Sequence, residues 1–376
     1  MRPTAESLAM DSAYARSGVD TQEAAAAVSG LVNVLRTIRL TSPSRSLVAS
    51  GHYASVLEVM PGLAIALSTD GVGSKVLVAE QAGRFDTIGV DCVAMNVNDV
   101  ICVGARPIAM LDYIAVSRAD VEMLRQLAEG LKRGAERAEI EIPGGEVAQL
   151  PELLRGSVDR TGFDISGCCV GLVETDSIVR GTECAPGDVI IGLPSSGVHA
   201  NGLTLARRAL LVDGGMDLDS RPTELGGSSV GEELLRETEI YVRAACDLLA
   251  SDAPVHGLAH ITSDGLRNLL RLEAAVGFEV CEPLPVPPVF RLIQTAGNVS
   301  EPEMHDVFNM GCGFCCVVPA AAESHAVDIL ASHHPGARRI GSVTSEAGKL
   351  TVPSLGLVGD STGLWMETGH PAAVGS

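Results

Sequence analysis

Basic residues are scarce in this sequence. Its 376 residues include 27 Lys and Arg against 47 Asp and Glu, which gives a formal net charge of −20. A protein that binds nucleic acid needs a basic patch or stripe against the phosphates. The sequence offers no such stripe, so it argues against a nucleic-acid partner.

Export and membrane segments are also lacking. The first twenty residues contain no basic start followed by an apolar core, so we expect no secretory signal. No apolar run reaches the ~18 residues of a membrane span. We therefore expect a cytoplasmic location, no membrane partner and reduced thiols at the ten cysteines. Cys312 to Cys316 lack the second pair that a zinc site requires, which favours a buried strand.

One stretch, Thr69 to Ala115, places acids, amides, glycines and a lysine among segments apolar enough for a core. Burying such groups is unfavourable unless they are paired or bind a ligand. A buried strand is predicted over Leu63–Thr69, and the turn after it contains Asp70, Gly71, Gly73 and Lys75. These residue types suit Mg²⁺ and phosphate. The turn matches neither the Walker nor the dinucleotide-binding pattern, so a plain strand-to-helix turn is the alternative.

A mostly buried helix is predicted over Thr87–Val103 from its apolar residues. At about 100° per residue, three polar side chains project from one half of this helix: Asp91, Asn98 and Asp99. A solvent-exposed stripe would normally also contain Lys or Glu, and this helix contains neither. The pattern favours a ligand-facing stripe over a plain solvent-facing one.

Other elements follow from periodicity and turn residues. We expect helices near Thr21–Leu35 and over Arg118–Ile140, the second with an inward face of Val121, Leu124, Leu127 and Leu131. Pro143–Glu146 is predicted to be a turn that presents a carboxylate, and Gly162–Glu174 a buried strand containing Cys168 and Cys169. Residues from about Gly356 onward are expected to form a frayed tail.

A domain boundary is predicted near Cys184–Asp188. After it, strand Val189–Leu193 leads into Ser195–Gly202 and a helix, Leu203–Leu211. Small residues with one His and one Asn between a strand and a helix suit anion binding through backbone N–H groups. A purely structural loop is the alternative.

Ten short motifs together resemble the phosphoribosylformylglycinamidine cyclo-ligase family, also called aminoimidazole ribonucleotide synthetases. They occur in family order at Tyr14–Asp20, Gly51–Tyr53, Thr69–Lys75, Phe85–Asp91, Ala94–Asp99, Leu111–Tyr113, Gly144–Glu146, Ser195–Gly202, His260–Thr262 and Phe308–Gly311. Ten motifs in one order are far more specific than any one of them.

The resemblance implies an α/β (α+β) protein with a two-domain PurM-like fold. It places an N-terminal segment at 1–50, an ATP- and Mg-binding dimerisation domain at 51–182, a C-terminal α+β domain at 183–353 and a tail at 354–376. The N-terminal domains of two subunits would together form a dimeric β-barrel. The implied partners are the ribonucleotide substrate, ATP and a second copy of the chain.

The resemblance also implies a reaction. ATP phosphorylates the formamide oxygen of formylglycinamidine ribonucleotide, an amidine nitrogen attacks the activated carbon, and phosphate leaves as the ring closes. Positioning and charge neutralisation do most of the catalysis in such phosphoryl transfer. Asp70, Asp91 and Glu146 are the predicted Mg²⁺ ligands. ATP and its phosphates would contact Asp70, Gly71, Gly73, Lys75 and Asn98.

The second domain would supply residues to the substrate. Ser196, Asn201, Thr262 and Asn309 are predicted to bind it. His199, His260 and Asp99 are the predicted catalytic residues, with the two histidines as proton carriers near neutral pH. A core histidine satisfied by the backbone is the alternative for each.

The sequence departs from the family pattern mainly in the substrate half. Ser263-Asp264-Gly265 replaces a run of glycines, and Asp264 would repel a substrate phosphate placed nearby. Glu237 and Glu239 stand in a segment that in the family reads Pro-Thr-Arg-Ile-Tyr. Two alternatives therefore stay open: a related ATP-dependent enzyme that acts on another amide or carboxylate, and a non-catalytic nucleotide-binding protein. Both enzyme hypotheses predict that Asp91→Asn stops ATP turnover while the fold stays intact.

Overall fold

The structure, a computed structural model, describes residues 13–18, 21–39, 41, 45–49, 51–158 and 162–366. The part of the Tyr14–Asp20 motif at Val19 and Asp20 lies outside these residues. In chain order, the elements of the first half are α1 (Ala13–Arg16), α2 (Thr21–Leu35), β1 (Arg45–Ser46), β2 (Ser55–Met60), β3 (Leu63–Gly71), α3 (Lys75–Ala82), α4 (Asp86–Ile101), β4 (Arg106–Val116), α5 (Val121–Ala138), β5 (Glu141–Gln149) and β6 (Phe163–Glu174).

The strands of the first half form one sheet in the order β1-β2-β3-β6-β4-β5. Neighbouring strands are antiparallel except β4 and β5, which are parallel. Burial alternates residue by residue along β6, so one face of the sheet is covered and the other is open. The predicted strands at 63–69 and 162–174 are thus confirmed, although Cys168 is exposed while Cys169 is buried.

Helix α4 covers the buried face of this sheet, packed against β3, β4 and β6. All of its residues except Asp86 and Asp99 are buried. Gly167 of β6 lies under it, where a Cβ atom would be only 2.9 Å from Asn96 Nδ2. The helix therefore lies close to the sheet, and its polar side chains must find partners inside the protein.

Helix α5 packs on the outer side of α4. It begins at the N-cap Asp120, whose side chain accepts hydrogen bonds from the backbone N–H groups of Glu122 and Met123. Leu127 and Leu131 face inward as predicted. Val121 does not: its side chain is 84% exposed, because it occupies the first helical position beyond the covered face.

In the second half of the chain the elements are β7 (Val189–Pro194), α6 (Leu203–Arg207) with a π-helical continuation (Arg208–Asp213), α7 (Val230–Leu234), α8 (Val242–Leu249), β8 (Gly257–His260), a 3-10 helix (Gly265–Arg271), β9 (Gly277–Glu279), α9 (Pro288–Gly297), α10 (Glu301–Val307), β10 (Cys312–Val318), α11 (Glu323–His333), β11 (Arg338–Thr344), β12 (Leu350–Val352), β13 (Leu357–Asp360) and β14 (Gly363–Met366). Its sheet has the order β14-β13-β12-β9-β11-β7-β10-β8. Every residue of β10 is buried, so the prediction for Cys312 to Cys316 is confirmed.

Two segment predictions were wrong. The expected frayed tail after Gly356 contains β13 and β14, which pair with each other as a hairpin, while β13 also pairs with β12. The expected turn at Pro143–Glu146 lies inside β5, because a strand at the edge of a sheet tolerates Pro and Gly. Across the described part of the chain, no helix combines the length and the apolar character needed to cross a membrane.

Candidate active site

A buried ion pair joins the first two helices after β3. The Nζ atom of Lys75 lies 2.9 Å from Asp91 Oδ1 and 2.8 Å from Asp91 Oδ2, and both side chains are fully buried. Lys75 also donates to the backbone carbonyl of Arg236 at 2.6 Å. Asp91 Oδ1 accepts from the backbone N–H and the hydroxyl of Thr238 at 2.7 and 2.5 Å. The pair thus ties α3 and α4 to the segment before α8.

This geometry gives both residues a different role from the predicted one. Burial lowers the pKa of Lys75 and raises that of Asp91, while their mutual attraction opposes both shifts. Lys75 is directed into the protein rather than toward an open phosphate site. Asp91 is committed to Lys75 and Thr238, and not to a metal ion.

A second acid, Asp99, lies in the last turn of α4. The Oδ1 atom of Asp99 is 2.8 Å from Nδ1 of His260, at the end of β8. Asn98 donates from Nδ2 to the Glu239 carbonyl at 2.9 Å and accepts from the Tyr241 N–H at 3.0 Å. Its Nδ2 also lies 3.4 Å from His260 Nε2. The imidazole of His260 is therefore held from both sides by consecutive residues of α4.

Asp70, at the end of β3, lies next to this pair. Its backbone N–H donates to Asn96 Oδ1 at 3.0 Å, which anchors the strand end to α4. Burial raises the pKa of Asp70, and the negative charge of Asp99 raises it further. Two neighbouring carboxylates that repel each other, one at the end of β3 and one on α4, are typical of a site for a divalent cation.

Glu146 is separated from these acids by the width of the sheet. Gly71 on β3 lies in register with Ser166, then Tyr113, then Glu146 on β5. Three strand spacings amount to roughly 14 Å, too far for both carboxylates to reach one Mg²⁺ at about 2.1 Å. No group of three or more His, Cys, Asp or Glu within the described residues is arranged to hold a metal. The predicted set of Asp70, Asp91 and Glu146 is therefore not assembled in the chain.

His199 occupies a left-handed backbone conformation, with φ of 65°. Its Nε2 faces the N–H groups of Ser196 at 3.2 Å and Glu239 at 3.5 Å, which assigns the proton to Nδ1. Burial, with the charges of His260 and Lys75, holds the pKa of His199 well below its ordinary value. Burial therefore favours the neutral ring, and the role of His199 as a proton carrier stays a prediction. Its buried Nδ1 has no partner among the described residues.

Asn309 holds the loop Ser195–Gly202 through hydrogen bonds. The amide nitrogen of Asn309 donates to the Gly197 carbonyl at 2.9 Å, and its oxygen accepts from the Ser195 hydroxyl at 2.8 Å. Asn309 is buried, so its observed contacts fix the loop. Ser196 donates its hydroxyl to the Glu237 carbonyl at 2.5 Å. Of the other predicted contacts, Gly71, Ser196, Asn201 and Thr262 are half-buried and Gly73 is exposed.

The charges that depart from the family pattern have partners. Glu237 pairs with Arg133 and Arg137, each at 2.8 Å. Asp264 pairs with Arg267 at 2.7 Å. These contacts compensate the added negative charges locally, so Asp264 does not act as an isolated repulsive group.

Sequence reasoning missed two residues that build the site. Thr238 donates two hydrogen bonds to Asp91. In the sequence, only Glu237 and Glu239 distinguished its segment. Asn96 holds the end of β3, and its position in a wholly buried stretch of α4 was the available signal. A groove of about 670 Å³ lies elsewhere, between α5 and α8, and none of the predicted site residues lines it.

Comparison with known proteins shows the family to which the whole chain belongs. The family description "AIR synthase related protein, N-terminal domain" matches residues 51–173, and its C-terminal counterpart matches 185–353. A phosphoribosylformylglycinamidine cyclo-ligase of Methanothermobacter thermautotrophicus is 45% identical over 341 residues, 90% of this chain and 96% of the relative. The chain belongs to the AIR synthase related family. A second member, the cyclo-ligase of Pyrococcus horikoshii, is 41% identical over 92% of this chain and 98% of its own length.

Solved structures with lower sequence identity have the same fold. A thiamine-monophosphate kinase from Stenotrophomonas maltophilia K279a aligns with a TM-score of 0.58 at 21% identity, over 82% of this chain and 90% of that chain. The hydrogenase maturation protein HypE, solved in complex with ATP, aligns with a TM-score of 0.55 at 20% identity, over 82% and 86%. These likenesses confirm the predicted two-domain α/β architecture.

Proposed function

We propose that this chain closes the ring of formylglycinamidine ribonucleotide to give aminoimidazole ribonucleotide, with conversion of ATP to ADP and phosphate. The observation that carries this proposal is identity of 45% to a cyclo-ligase over 90% of the chain. It is an enzyme of the ligase class in purine biosynthesis. The acids and amides gathered at the end of β3 and along α4 are the groups that such a reaction needs.

The proposed reaction uses phosphate to turn an amide oxygen into a leaving group. The formamide oxygen attacks the γ-phosphorus of ATP and releases ADP. The amidine nitrogen then attacks the activated carbon and expels phosphate. Asp70 and Asp99 are the residues that suit Mg²⁺, because their repulsion is relieved by a cation, and Mg²⁺ would neutralise the charge that develops on the phosphates. His260 holds Asp99 in position, and Asn98 orients His260.

The remaining contacts form part of the same proposal. The backbone N–H of Gly73 would contact phosphate, whereas the N–H of Gly71, the other predicted contact, donates to Asp70 Oδ1 at 2.7 Å. The neutral His199 would donate from Nδ1 to a polar atom of the substrate. Ser196, Asn201 and Thr262 remain proposed substrate contacts, whereas Asn309, whose amide is used within the protein, positions the loop that carries Ser196. The domain boundaries after 50, 182 and 353, and the cytoplasmic location, also remain predictions.

ADP release tests this function directly. Purified protein with Mg-ATP should release ADP only when formylglycinamidine ribonucleotide is present. Release at the same rate without the ribonucleotide would contradict the proposal. Glycinamide ribonucleotide, which has the sugar phosphate but lacks the amidine, serves as the matched control and should not support turnover.

We also propose that the open face of the first sheet binds a second copy of the chain. Large apolar side chains are exposed there on two adjacent strands: Leu111 and Tyr113 on β4, and Leu172 on β6. Contiguous exposed apolar surface of this kind marks an interaction site. A homodimer in which two such sheets pack would cover these side chains and complete the barrel.

Leu111→Glu should disrupt this dimer. The side chain is 52% exposed on β4 and would lie within the interface. Burying an unpaired carboxylate there should raise the dimer dissociation constant by about 100-fold or more. Light scattering after gel filtration measures the change, and Val121→Glu, at an exposed position away from the sheet, is the control. Equal masses for the Leu111 variant and the wild type at micromolar concentration would exclude this face.

A further inference from the structure

An arginine at the end of the 3-10 helix lies beside the candidate active site. The guanidinium carbon of Arg271 is 5.2 Å from the ring centroid of Tyr53. Its Nη2 lies 3.8 Å from Asp264 Oδ2. Tyr53 is itself fixed, because its hydroxyl donates to the Asn268 carbonyl at 2.7 Å. The aromatic ring and the carboxylate therefore hold Arg271 in one place.

Most of the hydrogen-bonding capacity of Arg271 is unused. Its side chain is 37% exposed, and it donates no hydrogen bond to another described residue. The neighbouring Arg267 is different: it binds Asp306 and Asp264 at 2.7 Å each and the Asp360 carbonyl at 3.1 Å. Arg267 is a structural residue, whereas Arg271 presents a guanidinium fork to solvent.

His52 lies on the other side of Tyr53. The two rings meet edge to face, with centroids 5.5 Å apart. The Nε2 of His52 lies 3.4 Å from the Arg180 carbonyl, which assigns a proton to Nε2 and leaves Nδ1 as an acceptor. This Nδ1 is buried and has no partner in the described part of the chain. A guanidinium and an unused acceptor thus share one small region.

The region around His52, Tyr53 and Arg271 lies within the electrostatic influence of Asp99. Both Asp99 and Arg271 act electrostatically on His52 and on Tyr53. The 3-10 helix that ends at Arg271 begins shortly after His260, the partner of Asp99. Arg271 and the pair of Asp99 and His260 thus lie at the two ends of the short segment from His260 to Arg271.

An anionic ligand needs such a cation here. The chain has a net charge of −20, and Asp70, Asp99 and Asp264 lie around this part of the site. A phosphate monoester would be repelled without a positive group, and a guanidinium binds phosphate oxygens through two parallel hydrogen bonds.

We infer that Arg271 binds the phosphate monoester of the ribonucleotide substrate, and that Asp264 positions its guanidinium. This inference rests on the proposed function. It gives the aspartate in Ser263-Asp264-Gly265 a function: the carboxylate holds the phosphate-binding cation instead of facing the phosphate. The acceptor at His52 Nδ1 suits a hydroxyl group of the attached sugar.

Steady-state kinetics of Arg271→Gln shows whether Arg271 binds the phosphate of the ribonucleotide or a phosphate of ATP. The KM for the ribonucleotide should rise by about 10- to 100-fold, because a charge-assisted hydrogen-bonded contact is lost. The KM for ATP and kcat should stay within about threefold of wild type. This is expected when the lost contact is equally strong in the bound substrate and in the transition state. Arg271→Lys should recover part of the loss as a point charge. Arg339→Gln, an exposed arginine on β11, is the matched control.

Each alternative outcome is decisive. A raised KM for ATP alone would assign Arg271 to the nucleotide and overturn the inference, as would unchanged constants for both substrates. If the wild type shows no turnover, the proposed function fails. Calorimetric titration of the ribonucleotide without ATP then tests Arg271 independently. Equal affinity for wild type and Arg271→Gln, or no binding by either, would overturn the inference.

Discussion

Asp91→Asn is expected to lower the free energy of unfolding by about 3–5 kcal/mol, because it leaves the Lys75 ammonium buried without a counter-charge. Both side chains of the pair are fully buried, and Asp91 is also the acceptor for Thr238. This result would replace the expectation from sequence that the variant keeps an intact fold. Urea unfolding followed by circular dichroism measures the change.

The double variant Lys75→Met/Asp91→Asn separates charge from packing. It contains no uncompensated charge, and the Asn oxygen can still accept from Thr238. We expect it to be more stable than Asp91→Asn alone, which gives a large coupling energy in a double-mutant cycle. Additive losses from Lys75→Met and Asp91→Asn would show that the ion pair does not stabilise the fold as described.

Asp99→Asn should reduce kcat by about 100- to 1000-fold while the protein stays folded. Removing a preorganised charged group from a phosphoryl-transfer site has an effect of this size. The Asn oxygen can still accept from His260, so the local structure should persist and the thermal midpoint should change little. Initial rates of ADP release at saturating substrates, with thermal unfolding of the same sample, measure both quantities.

The chain provides a matched control for this variant. Asp188 and His256 form another carboxylate–imidazole pair, also with 2.8 Å between Nδ1 and an oxygen, far along the chain from Asp99. Asp188→Asn should change stability without a comparable loss of turnover. Similar kcat values for the Asp99 and Asp188 variants would remove Asp99 from the reaction.

Local patterns predicted the framework of the site well. The apolar run before Asp70 and the stretch Gly162–Glu174 were both predicted to be buried strands, and both are central strands of the first sheet. Helix α4 was also predicted, since apolar residues recur over Thr87–Val103. Asp99 and His260 were both predicted as catalytic residues from the resemblance, and the structure brings them into contact.

Contacts between distant segments could not be predicted in this way. Lys75 is of a residue type that suits phosphate, yet its partner Asp91 lies on the next helix and its third contact is the carbonyl of Arg236. The sequence predicts a turn at Glu146, because Pro and Gly in an edge strand have the residue types of a turn. Arg271 matched no motif that was singled out, and only the fold places it over Tyr53.

The most informative measurement is the amount of imidazole ribonucleotide formed per ADP when formylglycinamidine ribonucleotide and Mg-ATP are supplied, with both products quantified by mass spectrometry. We expect one imidazole for each ADP in the wild type, and a parallel loss of both products in Asp99→Asn. ADP without the imidazole product would indicate a related enzyme that acts on another amide or carboxylate. The absence of both products from the folded wild-type protein would contradict the proposed cyclo-ligase function.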